Sequence, residues 1–144
     1  MKVLFDTSVM IAALLPQHPS HSPCFIHLQA AKLVQAKAYL STHSLAELYS
    51  VLTRMPSQPR ISPQIAKRLI ENNIQYLETV TLDQADYQAA IAQMTALNLP
   101  GGGIFDALIA QAALKVSAER LLTLNPKHFT RLGTELAQIV YLPH

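Results

Sequence analysis

Four polar residues stand where the chain passes between predicted elements of structure: Asp6, Glu47, Asp106 and Asn125. Three are carboxylic acids and one is an amide, so each side chain presents oxygen atoms. Carboxylates brought together without a counter-charge have raised pKa values unless a cation lies between them. Mg²⁺ prefers oxygen ligands, takes one or two carboxylates directly and keeps several waters. Together the four residues predict a metal site that activates water against a phosphodiester bond.

Each residue also has a simpler structural interpretation. Glu47 comes three positions after Ser44, so S-L-A-E matches a helix capping box. Asp6 matches an Asx-turn residue at a strand end, and Asn125 precedes a proline as turn residues often do. Asp106 is favourable at the start of a helix through the helix dipole alone. The functional interpretation therefore rests on their joint placement.

That placement follows from the predicted order of strands and helices. Short apolar runs predict strands at 2–5, 38–41, 78–82, 120–123 and 139–142. Apolar periodicity and capping residues predict helices at 9–15, 23–37, 44–54, after Pro63, after Asp83, at 104–116 and, as a short turn or helix, at 126–131. Strands that alternate with helices favour an α/β domain with a mainly parallel sheet and helices on both faces. In such sheets ligands bind at the carboxyl ends of the strands and the amino ends of the following helices. Asp6 and Asn125 are expected at strand ends, and Glu47 and Asp106 in the first turns of helices.

The apolar spacing also predicts which face of two helices points inward. In the second helix the inward residues are Phe25, Leu28, Ala31 and Leu33. In the helix after Asp83 they are Ala85, Ala89, Ile91, Ala92 and Leu97.

Composition sets broad limits on the kind of protein. The 144 residues are 50% hydrophobic and 14% charged, which predicts one domain over 1–144 with a large core. The formal charge of +2 says little about a nucleic-acid partner. Asp6 interrupts the first apolar run and no run reaches the length of a membrane span, so we expect a soluble, cytoplasmic protein with no membrane partner. The single Cys24 cannot form an internal disulfide, which fits a reducing compartment.

Three consecutive glycines, Gly101 to Gly103, lie just before Asp106. A phosphate-binding loop needs a preceding strand and a Gly-Lys-Ser/Thr ending, and neither is present here. The glycines instead predict a tight turn with backbone conformations that favour glycine. The turn leads into a helix whose first turn carries Asp106. The histidines have no zinc-site spacing. His43, four positions before Glu47, is interpreted as a residue at a strand end, and the alternative is that it touches the edge of the site.

Four segments resemble the PIN domain family, and within it the VapC-like toxin ribonucleases of toxin–antitoxin pairs. They are VLFDTSVMIA, STHSLAELYSVLTR, GGGIFDALIAQAA and LLTLNPKHF, which span Val3 to Phe129. The resemblance implies a three-layer α/β/α sandwich with a four- or five-stranded sheet and an acidic pocket that binds Mg²⁺ or Mn²⁺. It also implies cleavage of single-stranded or looped RNA, a homodimer, and a small antitoxin whose C-terminal segment covers the pocket.

Residue by residue, the family's three acids fall on Asp6, Glu47 and Asp106, and its fourth polar position falls on Asn125. Ser8 matches a small polar position that supports the first acid. We expect Asp6 and Asp106 to hold the ion most directly and Glu47 to position or deprotonate the attacking water. Asn125 then orients a metal-bound water or another ligand, and hydrolysis leaves a 3′-hydroxyl and a 5′-phosphate.

Other protein classes remain as alternatives. Aspartate-nucleophile phosphatases need a second Asp two residues after the first, where this chain has Ser8. A magnesium-binding receiver-like signalling domain normally has adjacent acids after its first strand and a phosphorylated Asp at the end of a middle strand. The third alternative is a catalytically silent PIN-like module that binds RNA or protein, against which the three intact carboxylates argue.

Overall fold

The computed structural model describes all 144 residues. It contains five strands: β1 Lys2–Phe5, β2 Lys37–Ser41, β3 Glu78–Val80, β4 Arg120–Leu122 and β5 Val140–Tyr141. It contains eight helices: α1 Thr7–Leu14, α2 His21–Lys32, α3 Thr42–Arg54, α4 Pro63–Ile74, α5 Gln84–Ala96, α6 Gly103–Lys115, α7 Pro126–Thr130 and α8 Thr134–Ala137. The strands form one sheet in the order β3-β2-β1-β4-β5, and every neighbouring pair is parallel.

Alternation along the strands divides the core into two layers. In the central strand β1, Val3 and Phe5 pack into one cluster while Leu4 packs into the other. Side chains on a strand point to opposite faces in turn, so each cluster covers one face of the sheet. The first cluster includes buried residues of α1 to α4, and the second includes buried residues of α5 to α8. The predicted three-layer α/β/α sandwich is therefore confirmed, and its sheet, predicted as mainly parallel with four or five strands, has five strands that are all parallel.

The strand order fixes where a ligand site should lie. The chain runs outward from β1 through β2 to β3, then returns to the other side of β1 to form β4. Ligands of open α/β sheets bind outside the carboxyl ends of the strands at such a reversal, here between β1 and β4. The order differs from the 2-1-3-4-5 arrangement of flavodoxin-like receiver domains, which removes the structural basis for the receiver alternative.

Helix α3 begins earlier than its sequence predicts. Its cap is Ser41, the last residue of β2, whose side chain accepts a hydrogen bond from the backbone N–H of Ser44 at 3.1 Å. The capping-box interpretation of Ser44 and Glu47 is therefore wrong. Glu47 lies in the second turn of α3 rather than the first, and its carboxylate is not used to cap the helix.

Two predicted helix faces also need correction. The inward residues of α5 are Ala90 and Met94, and the five residues predicted inward are exposed: Ala85, Ala89, Ile91, Ala92 and Leu97. Alanines occur on several sides of this helix, so the apolar spacing did not single out one face. Helix α2 ends at Lys32, and Leu33 just beyond it is 65% exposed. The short helix α8 was not predicted, and none of the helices has the combination of length and hydrophobicity that crossing a membrane requires.

The glycine turn leads into α6 as predicted. Gly101 has φ +71°, in the left-handed region that favours glycine. A Cβ atom on Gly103 would lie 2.7 Å from Nη2 of Arg131 and 2.8 Å from Cε of Met94. Because α6 leads into the start of β4, it begins at the carboxyl edge of the parallel sheet. The turn therefore places the first residues of α6 beside the strand ends.

Candidate active site

One pocket at the carboxyl edge of the sheet brings together all of the predicted site residues. Its volume is about 410 Å³, and its polar lining includes Asp6, Ser8, Glu47, Asp106 and Asn125. Asp6 follows β1, Glu47 comes from the helix after β2, Asp106 comes from the helix before β4, and Asn125 follows β4. The pocket therefore lies at the reversal of strand order between β1 and β4.

Asp6 is the most buried acid of the pocket, with 5% of its surface exposed. The hydroxyls of Ser8 and Thr123 both donate to its Oδ2 atom, each at 2.7 Å. Its Oδ1 atom is left without a hydrogen bond from the protein. Burial raises the pKa of Asp6 from its ordinary 3.8 to about 6, the two hydroxyls oppose that rise, and the nearby Asp106 and Glu47 add to it.

The two hydroxyls also fix the loop after β4. The backbone N–H of Leu124 donates to the Ser8 hydroxyl at 3.1 Å. The backbone N–H of Asn125 donates to the Thr123 hydroxyl at 2.9 Å. Each hydroxyl therefore accepts from the loop and donates to Asp6, so the orientation of the carboxylate and the path of the loop are set together.

Glu47 is half-buried and keeps its charge. Its Oε1 atom lies 2.6 Å from the Thr7 hydroxyl and 3.4 Å from Nε2 of His43. The neighbouring His43 ring, followed by the Thr7 hydrogen bond, lowers the pKa of Glu47 although burial acts the other way. The single Thr7 proton goes to the carboxylate, which can only accept, so the Ser44 hydroxyl 2.8 Å away donates to Thr7. The carboxylate is thus ionised and anchored from two helices.

Asp106 has basic side chains rather than hydroxyls as neighbours. Its Oδ2 atom lies 3.6 Å from Nδ1 of His128 and 3.9 Å from Nη2 of Arg131. Burial raises the pKa of Asp106, and the nearby charges of His128 and Arg131 act to lower it while Glu47 acts to raise it. The net shift is upward, so this acid also lacks full compensation for its charge.

Asn125 is exposed at the start of α7. It is the N-cap residue, but its side chain makes no capping hydrogen bond, and Pro126 follows at the first helical position. The amide is therefore not committed to the helix and remains available at the pocket. The interpretation of Asn125 as an ordinary turn residue accounts for the backbone but not for this placement among three acids.

Several residues that support the acids were missed from the sequence. Thr7 and Thr123 touch Glu47 and Asp6, and both are buried polar residues. His43 contacts Glu47 from within α3, which is the alternative that the sequence left open for it, but the stacking of its ring on Phe105 was not predicted. The threonines follow strand ends, which is the one sequence signal that would have marked them. The His43 and Phe105 contact joins two helices that are distant in sequence.

The oxygen donors of the pocket are compatible with a hard divalent cation. The side chains include no ready-made group of three His, Cys, Asp or Glu ligands. Mg²⁺ commonly takes one or two carboxylates and completes its shell with water. Asp6 offers its Oδ1 atom, and the raised pKa values of Asp6 and Asp106 mark negative charge that a cation would stabilise. The donor chemistry therefore fits Mg²⁺ or Mn²⁺.

Comparisons with known proteins agree with this geometry. The family model described as PIN domain matches residues 3–134. Ribonuclease VapC27 of Mycobacterium tuberculosis is 33% identical over 114 residues, which cover 79% of this chain and 78% of that protein.

Solved structures show the same fold. VapBC2 from Rickettsia felis, in a crystal structure with a DNA fragment from its promoter, matches with a TM-score of 0.71 and 21% identity over 100% of both chains. The toxin VapC20 of Mycobacterium tuberculosis, described as cleaving the sarcin-ricin loop, matches with a TM-score of 0.65 and 16% identity over 83% of this chain and 86% of that one. The chain therefore belongs to the PIN domain family and, within it, to the VapC-like ribonucleases.

Proposed function

We propose that the protein is an Mg²⁺- or Mn²⁺-dependent endoribonuclease and the toxin of a toxin–antitoxin pair. The observation that carries the proposal is the meeting of Asp6, Glu47 and Asp106 in one pocket at the reversal of strand order. Three acids in one pocket suit phosphodiester hydrolysis because they can bind a divalent cation. The cation is needed because the substrate and the transition state are both anionic. The VapC27 relative is named a ribonuclease, which supports RNA as the substrate.

Asp6 and Asp106 are the residues that would hold the ion. When bound, the ion would supply Lewis-acid stabilisation of the phosphodiester and lower the pKa of water. Asp6 is suited to this role because Ser8 and Thr123 fix its orientation through Oδ2 and leave Oδ1 available. Asp106 enters from a separate helix, so the two acids approach from different elements.

Glu47 would position the attacking water and accept its proton. Its lowered pKa keeps it ionised at neutral pH, and an ionised carboxylate is the form that accepts a proton. Thr7 and His43 hold Oε1, which leaves the second carboxylate oxygen to receive the water. Asn125 would orient that water or a substrate oxygen from the β4 side of the pocket.

Positive charge for the RNA backbone is present at the same edge. His128 and Arg131 lie beside Asp106, and both are exposed. Cationic side chains of this kind contact phosphates without reading the base sequence. In-line attack of water would release a 3′-hydroxyl and a 5′-phosphate, and an RNA substrate would place the activity in the cytoplasm.

The decisive experiment is cleavage of an RNA pool by the purified protein. Addition of Mg²⁺ or Mn²⁺ should give internal cuts with 5′-phosphate ends, and EDTA should stop them. Asp106→Asn keeps the size of the side chain and removes its charge, so we expect a loss greater than the 10- to 100-fold typical of an outer-shell partner. Cleavage that persists at the original rate in Asp106→Asn would refute the assignment, and absence of any metal-dependent cleavage would favour the silent binding module.

The toxin role requires a partner that blocks the pocket. We propose a small antitoxin whose C-terminal segment covers the acids, and a homodimer as the form that binds it. The match to VapBC2 supports the antitoxin partner, since that structure is of VapBC2 bound to a DNA fragment from its promoter. Co-purification of the protein with the product of a neighbouring short reading frame, together with loss of RNase activity in the complex, would test it.

A further inference from the structure

A half-exposed aromatic ring lies directly beside the acidic pocket. Phe105 precedes Asp106 in the first turn of α6, and 50% of its surface is exposed. The His43 ring lies parallel to it, with ring centroids 5.2 Å apart and an interplanar angle of 1°. The ring of Phe105 therefore has the His43 ring as a partner on one face, while half of the residue's surface is open to solvent.

His43 connects this stack to the proposed active site. Its Nε2 atom is buried, makes no regular hydrogen bond and lies 3.4 Å from Oε1 of Glu47. The imidazole is thus wedged between the Phe105 ring and the carboxylate, which limits its movement. A ring held by such a neighbour is ordered before any ligand arrives, and that reduces the entropy lost on binding.

We propose that Phe105, backed by His43, is the stacking platform for an unpaired RNA base whose nucleotide flanks the bond being cut. The inference rests on the proposed function and extends it to the recognition of the substrate. Every base has a π face, so an exposed aromatic ring in a nucleic-acid site binds bases with little regard to sequence. The His43 ring contacts both the Phe105 ring and Oε1 of Glu47, so the platform is one side chain away from the proposed site of hydrolysis.

The surroundings favour a nucleotide over an apolar occupant. Beyond Phe105 the same edge presents the three acids with their proposed cation and the exposed side chains of His128 and Arg131. A ligand that reaches the ring must therefore carry both an aromatic surface and negative charge. A base can stack on the ring only when it is unstacked from its own neighbours, so the platform selects single-stranded or looped RNA over duplex.

The test compares the loss of cleavage caused by removing the Phe105 ring with the loss caused by removing one base of the RNA. Phe105→Leu keeps apolar bulk without the ring, and Phe105→Trp restores a larger ring. The control is Tyr76→Leu, which removes a ring that is 42% exposed at the opposite edge of the sheet, beside Met1 and Glu78. The substrate is the best-cut oligonucleotide from an RNA pool, with an abasic residue placed at each flanking position in turn.

We expect one abasic position to weaken cleavage by wild type about 10-fold or more, through KM rather than kcat. Phe105→Leu should show the same loss on intact RNA and no further loss at that abasic position, while Phe105→Trp and Tyr76→Leu cleave normally. The proposal is overturned if Phe105→Leu cleaves like wild type, if its abasic penalty is undiminished, or if Tyr76→Leu is equally impaired. A change in oligomeric state with intact cleavage would assign Phe105 to a protein contact and would also overturn it.

A binding measurement separates this inference from the proposed function. If wild type fails to cleave the pool with either metal, the nuclease proposal fails, and the platform is then decided in EDTA. A single-stranded RNA with 2-aminopurine in place of adenine should lose fluorescence on binding to wild type and to Phe105→Trp. Equal quenching and affinity in Phe105→Leu would refute the platform whatever the outcome of the cleavage assay.

Discussion

Asp6 and Asp106 face the same pocket but are held by opposite means. Asp6 is buried and receives two hydroxyl hydrogen bonds on one oxygen. Asp106 is half-buried, and its Oδ2 atom lies within 4 Å of two exposed basic side chains, His128 and Arg131. Both acids have raised pKa values with burial as the largest cause.

The difference shows two ways to keep a carboxylate beside other carboxylates. Neutral hydroxyls orient Asp6 without neutralising it, so its charge stays costly until a cation arrives. The basic side chains beside Asp106 offset part of its charge, but they are exposed and screened by water. We therefore expect changes around Asp6 to affect protein stability and the orientation of the carboxylate, and changes around Asp106 to affect RNA binding.

The largest expected effect concerns stability as a function of pH in Asp6→Asn. The folded-state pKa of about 6 exceeds the ordinary 3.8, so the folded protein binds more protons than the unfolded chain between these values. The free energy of unfolding of the wild type should therefore fall as the pH rises through this window. A shift of about two pKa units corresponds to a decrease of about 3 kcal/mol in the free energy of unfolding. Because Asn does not titrate, the Asp6→Asn variant should not show this decrease.

Urea unfolding in EDTA at several pH values would measure this difference. We expect the free energy of unfolding of Asp6→Asn to rise relative to that of the wild type from pH 4 to pH 7. The variant should also lose RNase activity. Asp106→Asn is the matched comparison. Its relative free energy of unfolding should rise less, because Asp106 is partly exposed and has basic neighbours. Parallel pH profiles for the wild type and Asp6→Asn would show that burial of Asp6 carries no such cost.

The next effect concerns the hydroxyl that aligns Asp6. Thr123→Val keeps the shape of a fully buried residue but removes both the donor to Asp6 and the acceptor for Asn125 N–H. Loss of an outer partner of a metal ligand typically costs 10- to 100-fold in metal affinity or activity. We expect a loss in that range for Thr123→Val, measured as kcat/KM and as the Mn²⁺ concentration for half-maximal rate.

Two further variants make the result specific to the Asp6 hydrogen bond. Thr123→Ser retains the hydroxyl and should recover most of the activity. Thr95→Val removes a hydroxyl that bonds only to a carbonyl within α5, and it should cleave like the wild type. Full activity in Thr123→Val would mean that packing alone orients Asp6.

The sequence was most informative where chemistry follows a strand end. Asp6 and Asn125 could be placed because a parallel sheet brings the carboxyl ends of its strands to one edge. The sequence could not show which serine caps α3. Ser41 and Ser44 are both suitable N-cap residues, and both lie in the polar stretch where β2 ends. Thr123 was assigned to the end of a strand, but its bond to Asp6 depends on β4 pairing with β1, which local patterns do not encode. The same limit applies to the contact of His43 with Phe105.

The smallest effect tests the Asp106 side through the glycine turn. Gly103→Ala would place a Cβ atom 2.7 Å from Arg131 Nη2 and 2.8 Å from Met94 Cε, so both flexible side-chain ends must move. Arg131 is one of the side chains that we propose to contact the RNA backbone, so its displacement should weaken RNA binding. We expect KM for RNA to rise a few-fold while kcat is retained.

The neighbouring glycines provide the controls for that variant. Gly102 has φ −66° and open space around its Cα, so Gly102→Ala should leave both stability and KM unchanged. Gly101 also has open space but φ +71°, so Gly101→Ala should reduce stability through the backbone without moving Arg131. A raised KM in Gly103→Ala alone would assign the effect to Arg131, whereas equal changes in all three would assign it to the turn. In that second case the cations beside Asp106 would contribute nothing to RNA binding, and the contrast between the two acids would rest on burial alone.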